Sequence, residues 1–291
     1  MSNTKPRVSV GLPVFNGGQF LSLTLDSILT QTYSNFELII SDNASTDNTK
    51  EICRAYADKD DRIKYMRNKI NIGAAKNYNR VFELSSGDYF KWAAHDDLCA
   101  PEYLERCVEV LDKRYSVVVC HTKTTYINES GQEYATFDDQ LDLRSVRPYF
   151  RYRDYFVRSY KRCNAIFGLI RASELKKTPL IGAYYSSDHV LLAELALRGE
   201  IYRVPEPLFF RRDHPQQFWR LRKNLKDIEA WYEPSRLAKT TFPHWRLLGE
   251  HFKTISRVSL PWSDKVRCYL YLCKWMQEHD GSLIRNLFLM N

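Results

Sequence analysis

The sequence predicts an α/β fold with a mostly parallel central sheet. Three observations carry this. Short apolar runs alternate with amphipathic segments of about ten to fifteen residues, the pattern of repeated βαβ units. Each of the early apolar runs ends on a polar cluster. One run, Asp88 to Ala94, is rich in aromatic and small apolar residues and stops at His95-Asp96-Asp97, as a buried strand does at the functional edge of such a sheet.

The first strand is Arg7 to Phe15, followed by Asn16-Gly17-Gly18. A helix from about Gln19 to Gln31 follows, with Phe20, Leu21, Leu25, Ile28 and Leu29 at helical spacing. Phe36 to Ile40 forms the second strand and ends in Ser41-Asp42-Asn43-Ala44-Ser45-Thr46-Asp47, a run of turn and cap residues. A helix to about Ala57, a short strand Ile63–Met66 and a helix from Asn71 to Leu84 lead to the acidic strand. Ala100-Pro101-Glu102 opens the next helix, with Pro suited to a first turn. Ser116–His121 is a strand, followed by an irregular polar stretch to about Gln140. The Arg- and Tyr-rich residues 141–162 read as a helix and loop over the open side of the site. Asn164–Arg171 reads as a strand, and Ala183 to His189 opens a helix that Gly199 ends. Ile201–Val204 and Leu208–Arg211 are two short strands around Pro205 and Pro207. The remainder reads as helices. The expected organisation is a domain over residues 1–215, with a ligand half at about 1–121 and a second half at about 122–215. A helical extension over 216–291 follows.

In such sheets ligands bind at the carboxyl ends of the strands. Pro13-Val14-Phe15-Asn16, Ser41-Asp42-Asn43, Asn71 and His95-Asp96-Asp97 all follow strands, so they are expected on one rim. No GxGxxG follows the first strand, which removes the usual dinucleotide fingerprint. Two adjacent carboxylates repel each other, and the pair becomes sensible with a divalent cation, which takes oxygen ligands. The alternative for the pair alone is a solvated acidic turn.

The 291 residues are 44% hydrophobic and 14% aromatic, enough for a sizeable core. The net charge of +8 is uneven. Residues 1–140 hold 16 Lys and Arg against 20 Asp and Glu, while residues 141–291 hold 27 against 15. A basic second half suits phosphate groups, an anionic membrane or nucleic acid, or is only a soluble surface. No recognised RNA or DNA motif accompanies it, so no nucleic-acid partner is expected. Val8–Val14 is too short for a secretory segment and no run approaches a membrane span. The seven cysteines form no CxxC pair or metal spacing and read as reduced thiols. The expected location is cytoplasmic, with the inner membrane face as an alternative.

Taken together, these motifs resemble the inverting family 2 glycosyltransferases of the GT-A fold, over roughly residues 7–215. The resemblance rests on Pro13-Val14-Phe15-Asn16, Asp42 to Asp47, Asn71-Ile72-Gly73-Ala74-Ala75-Lys76-Asn77, Gly87-Asp88-Tyr89 with the DXD-like His95-Asp96-Asp97, and Ser187-Asp188 before a helix. It implies transfer of a sugar from a nucleotide diphosphate sugar, UDP by default, to an acceptor hydroxyl on a glycan or lipid-linked carrier, in the making of a surface or cell-envelope glycan. It implies a divalent metal, Mn²⁺ or Mg²⁺, to offset the charge of the leaving diphosphate.

By the same resemblance, Asp97 is the expected metal ligand, and Asp96 faces the ribose or a metal-bound water. Asp42 is expected to accept from the base, with an Asx turn as the alternative. Pro13, Phe15, Asn16 and Asn71 would shape the donor pocket, and Lys76 would lie near the donor. Asp188 is the expected general base, and a plain N-cap is its alternative. The family often has Glu-Asp there, whereas this chain has Ser187-Asp188. His214 would complete the metal site or touch the diphosphate. Trp219, Trp231, Trp245, Trp262 and Trp275 among basic residues read as a membrane-docking surface, ordinary packing or a dimer contact. A sugar-phosphate nucleotidyltransferase is the alternative enzyme, but a Gly-rich basic loop after the first strand is missing. A non-catalytic nucleotide-sugar-binding module is a second alternative, opposed by the presence of Asp96, Asp97 and Asp188 together.

Overall fold

The computed structural model describes residues 5–159, 163–217, 220, 225–234 and 243–278. Strand β1 (Val8–Val14) pairs in parallel with β2 (Phe36–Asp42), and β2 pairs in parallel with β3 (Ile63–Arg67). On the other side of β1 lies β4 (Tyr89–Trp92), also parallel. Every residue of β1, β2 and β4 is buried, as expected of strands covered on both faces. The covering helices are α1 (Leu21–Leu29), α2 (Thr49–Ala57), α3 (Ala74–Glu83) and α4 (Tyr103–Lys113). Gly11 lets α3 approach the sheet: a Cβ there would meet the Phe90 ring and Val81 at 2.7 Å.

The predicted parallel sheet describes this N-terminal half. The whole sheet is mixed, because three later additions run antiparallel. β5 (Leu98–Cys99) pairs with β9 (Glu200–Arg212), β7 (Glu133–Phe137) with β6 (Val117–Ile127), and β8 (Leu169–Arg171) joins β4 to β6. The strand order is β3-β2-β1-β4-β8-β6-β9-β5, with β7 beside β6.

Three sequence expectations are corrected here. The supposed irregular stretch to Gln140 contains the second half of β6 and the hairpin strand β7, because Thr122 to Ile127 has a parallel partner in β9. The two strands around Pro205 and Pro207 are one strand, whose prolines fall where its register against Thr122 and Thr124 shifts. Asn164–Phe167 is a 3₁₀ turn, and only Leu169–Arg171 is strand.

Helix α5 (Pro148–Ser159), expected from its Arg and Tyr content, turns Tyr152 and Tyr155 into the core. Beyond the one-turn helix α6 (Ala172–Leu175), it packs with α7 (Ser187–Arg198) and with the helices Pro243–Arg257 and Trp262–Glu278, whose Ile255, Cys268, Leu272 and Trp275 share the same apolar cluster. Buried Arg151 donates to the carbonyls of Ala196 and Leu197 at 2.7 and 3.1 Å, satisfying the end of α7. Buried Glu194 of α7 takes Arg198 at 2.7 Å and Arg257 at 2.5 Å, fastening the helix Pro243–Arg257. The C-terminal helices are therefore built onto the core that carries α7. Trp262 and Leu270 are exposed, Trp275 is buried, Trp231 and Trp245 are partly exposed, and Trp219 lies outside the described residues. All seven cysteines are free. Among the described residues, no helix is long and apolar enough to cross a membrane.

Candidate active site

The polar clusters that follow β1, β2, β3 and β4 meet on one rim. Asn16 donates its backbone N–H to Ser45 Oγ at 2.9 Å, and its Oδ1 accepts the Thr46 N–H at 2.8 Å. Gly17 and Gly18 donate to Thr49 Oγ1 and Asp47 Oδ2, both at 2.9 Å. Asn43 Nδ2 donates to Asn71 Oδ1 at 2.8 Å, while Asn43 Oδ1 accepts the Ile72 N–H at 2.9 Å. Asn68 and Asn77 extend this amide network to Ser41. The loops are held in unusual backbone shapes: Asn16, Ala44 and Ser186 have φ of 52°, 64° and 60°, in the left-handed region.

The expected donor residues divide by accessibility. Pro13 is buried within β1, opposite Ser41, whereas Phe15 stands 44% exposed at the rim. Asp42 is fully buried. Its Oδ1 accepts the Ser45 N–H at 2.8 Å, and its Oδ2 accepts from the Tyr65 hydroxyl at 3.0 Å and Arg67 Nε at 3.1 Å. The Asx-turn alternative is thus present, and Asp42 orders the loop through both oxygens. Arg67, partly exposed beside it, went unread from sequence; its signal is its position at the carboxyl end of the third strand. Lys76 is exposed and 3.7 Å from Glu233. Gly73 explains how that segment comes so near: at φ +86°, a Cβ there would lie 2.5 Å from the Tyr232 carbonyl oxygen.

The acidic pair is held from three sides. Thr24 Oγ1 meets the carbonyl oxygens of His95 and Asp97, each at 2.9 Å. The Arg212 N–H donates to Asp97 Oδ1 at 2.9 Å, and Arg212 Nε donates to the Asp96 carbonyl at 3.0 Å. His214 Nε2 lies 2.9 Å from Asp96 Oδ2. Burial, with the Asp96 charge beside it, pushes the Asp97 carboxyl up to about 7 against the pull of Arg211 and the Arg212 N–H. Burial also works against the Asp96 carboxylate, but His95 and the His214 hydrogen bond outweigh it and hold Asp96 below its usual range. Two neighbouring carboxylates pushed apart in this way suit a site that holds positive charge. Oxygen donors at Asp96 and Asp97 fit a hard divalent cation. His214 reaches the pair through its hydrogen bond to Asp96.

Asp188 opens α7, and its Oδ1 accepts the N–H of His189 at 3.0 Å. Tyr78 lies in the field of both acidic regions. Burial, then the charges of Asp96, Asp97 and Asp188, raise its phenol above the ordinary value, and Arg211 opposes them. One side chain therefore feels the acidic pair, the expected base and a cation. Arg211, half-buried, donates to Asn164 Oδ1 at 2.5 Å. Burial works against its charge, but Asp97, Tyr126 and Asp96 hold it above its ordinary value. Neither Tyr78 nor Arg211 was singled out from sequence. Tyr78 looked like a helix residue, and Arg211 differs from Arg212 only through strand alternation.

The family model described as Glycosyl transferase family 2 matches residues 9–173, more than half of the chain. The chain is 38% identical over 130 residues to the putative glycosyltransferase EpsE of Bacillus subtilis, covering 44% of this chain and 47% of that protein. It is 31% identical over 127 residues to glycosyltransferase GlyG of Streptococcus pneumoniae, covering 44% and 42%. The chain thus matches under half the length of both relatives. Among solved structures, Staphylococcus aureus TarS 1–349 in complex with UDP-GlcNAc superposes with a TM-score of 0.62 at 15% identity, covering 96% of this chain and 89% of that one. The mannosyltransferase PcManGT from Pyrobaculum calidifontis, in complex with GDP-Man and Mn²⁺, gives 0.58 at 16% identity, covering 98% and 74%. These two share the fold, which is GT-A. By its sequence match, the chain belongs to glycosyl transferase family 2.

Proposed function

We propose that the chain transfers a sugar from a nucleotide diphosphate sugar, a UDP-sugar in the first instance, to a hydroxyl of a glycan or lipid-linked acceptor, with inversion at the anomeric carbon. The observation that carries this reading is the enclosed acidic pair, with the Arg212 N–H on Asp97 Oδ1 at 2.9 Å and His214 Nε2 2.9 Å from Asp96 Oδ2, at the same sheet edge as the loops of Asn16, Asn43 and Asn71. The nucleotide would lie on the rim formed by Phe15, Asn16, Asn43 and Asn71, with Arg67 at its outer edge. Asp42 serves there by fixing the loop from Asn43 to Ser45. Asp96 and Asp97 would hold Mn²⁺ or Mg²⁺, which offsets the charge that grows on the diphosphate. Arg211 adds fixed positive charge at the same place. Asp188 takes the proton of the acceptor hydroxyl as that oxygen attacks the anomeric carbon from the face opposite the diphosphate. The two solved neighbours are complexes with UDP-GlcNAc and with GDP-Man and Mn²⁺, which supports a nucleotide-sugar donor and a divalent ion.

The test is calorimetric titration with UDP, GDP and dTDP, each with and without Mn²⁺, beside Asp97→Ala. Nucleotide release from the matching sugar donors is measured in parallel. Binding of one nucleotide that needs both Mn²⁺ and Asp97 is expected. No binding of any nucleotide under either condition overturns the reading.

A further inference from the structure

The described residues hold a second group of metal-ligand atoms, distinct from the acidic pair. Cys163 Sγ, a carboxylate oxygen of Asp188 and a ring nitrogen of His189 all lie within 4.8 Å of one another, and all three residues are half-buried. We propose that Cys163, Asp188 and His189 form a site for a thiophilic divalent cation, with zinc as the fitting ion. An ion bound there withdraws Asp188 from its work as base. This second half rests on the transferase reading above; the binding site itself does not.

The donor set decides the class of ion. A thiolate, an imidazole and one carboxylate are ligands for zinc, whereas the all-oxygen pair Asp96 and Asp97 suits Mn²⁺ or Mg²⁺. The two sites therefore select different ions. A tetrahedral zinc with bonds of about 2.0–2.3 Å keeps its ligand atoms roughly 3.3–3.8 Å apart. The three atoms need to close by only about an ångström from their present limit. Three protein ligands leave a fourth position for water, the arrangement of an open zinc site.

The surroundings hold the ligands in place. The Tyr155 hydroxyl meets His189 Nδ1 at 3.2 Å, which orients the ring. Asn164, next to Cys163, is buried and tied to Thr124 Oγ1 at 3.1 Å, Tyr126 at 3.2 Å and Arg211 at 2.5 Å. Asp188 and His189 stand on the first turn of α7, whose inner face is core. Cys163 binds as the thiolate, and its proton passes to solvent as the metal–sulfur bond forms. With its carboxylate committed to the ion, Asp188 no longer accepts the proton of an acceptor hydroxyl.

The experiment uses the full chain, reduced and stripped of metal, with Co²⁺ as the spectroscopic probe and Zn²⁺ as competitor. Wild type is expected to show a thiolate-to-cobalt charge-transfer band that zinc abolishes. Cys163→Ser removes the band, His189→Ala lowers zinc affinity by about 10-fold or more, and Cys273→Ser, at an exposed cysteine, leaves the band intact. Circular dichroism of each variant confirms folding. A wild type with no band, or a band that survives Cys163→Ser in a folded variant, overturns the site. In the second arm, zinc is expected to suppress donor turnover in Mn²⁺ buffer and a chelator to restore it, with Cys163→Ser resistant. A band with undiminished turnover overturns the withdrawal of Asp188. Absence of any turnover with any donor is instead the failure of the transferase reading, and leaves the cobalt result standing by itself.

Discussion

His214 Nε2 lies 2.9 Å from Asp96 Oδ2 across 118 positions of sequence. The contact fastens the end of β9 to the loop after β4. It is enclosed: His214 is 5% exposed, and its ring packs on Phe20 at 4.8 Å between centroids. Burial works against a charged imidazole, yet Asp96 and Gln216 raise His214 above its ordinary value. A buried His–carboxylate pair beside an acidic rim orients the carboxylates for whatever cation they hold.

His214→Ala is therefore expected to weaken Mn²⁺-dependent nucleotide binding by about 10- to 100-fold. Calorimetry with the preferred nucleotide reads this directly. Asp96→Asn should weaken it to a similar degree, and the double variant should lose less than the sum of the two, because the residues act as one unit. Unchanged affinity in folded His214→Ala would show that the pair plays no part in donor binding.

Asp188→Asn separates chemistry from binding. The amide keeps the shape and the acceptor oxygen that meets the His189 N–H at 3.0 Å, but it does not take a proton. Donor turnover is expected to fall about 10²- to 10⁴-fold, while nucleotide affinity stays within about twofold. A variant that loses both in parallel would place Asp188 in the donor pocket instead.

The candidate site residues were more legible than the late strands of the sheet. Asp96, Asp97, Asp188 and His214 stood out because carboxylates and histidines at element ends are rare unless they cap, pair or bind. The structure places His214 on Asp96 and Asp188 in the first turn of α7. The late strands were not legible. Thr122 to Ile127 is polar at several positions and reads as loop, because its burial comes from β9, about 80 residues away. Pro205 and Pro207 broke the strand pattern because a register shift that accommodates them has no signature of its own. Tyr78 and Arg211 were missed for a related reason: only tertiary packing brings a Tyr of α3 and an Arg of β9 into the field of the acidic pair.

Glu37 gives a prediction on folding. This buried carboxylate of β2 accepts from Ser9 Oγ at 2.6 Å, the Ser86 N–H at 2.8 Å, Ser86 Oγ at 2.7 Å and Lys64 Nζ at 2.6 Å. It joins β1, β2, β3 and the turn before β4. Burial works against its charge, but Lys64, Ser9 and Ser86 together hold it below the usual range. A carboxylate depressed in the folded state stabilises above its unfolded pKa of about 4.3, and that stability is lost as pH falls through the folded value. Glu37→Gln is expected to cost about 2–3 kcal/mol at pH 7. The gap to wild type should narrow below about pH 4. Urea unfolding at the two pH values measures both, and a gap independent of pH would contradict the assignment.

His251 makes the opposite case, a histidine that the fold keeps neutral. It is buried against Phe156 at 4.8 Å between centroids, and its Nδ1 is 3.4 Å from the Tyr152 hydroxyl. Burial, aided by His189, pushes it down to about 3. The unfolded chain takes up that proton near pH 6.5, so between about 6.5 and 3 the unfolded state binds one proton more. Stability therefore falls as pH falls through this window, by up to about 1.4 kcal/mol per unit from this residue. His251→Gln removes the titration. It is expected to be less stable than wild type near pH 7.5 by about 1–2 kcal/mol, since the packing and the Tyr152 contact are altered. Its unfolding free energy should then decline less steeply between pH 6.5 and 5, by up to one proton, so that the two curves converge. Chemical unfolding across that range decides the matter: parallel curves would mean that His251 titrates alike in both states and is not held neutral by its burial.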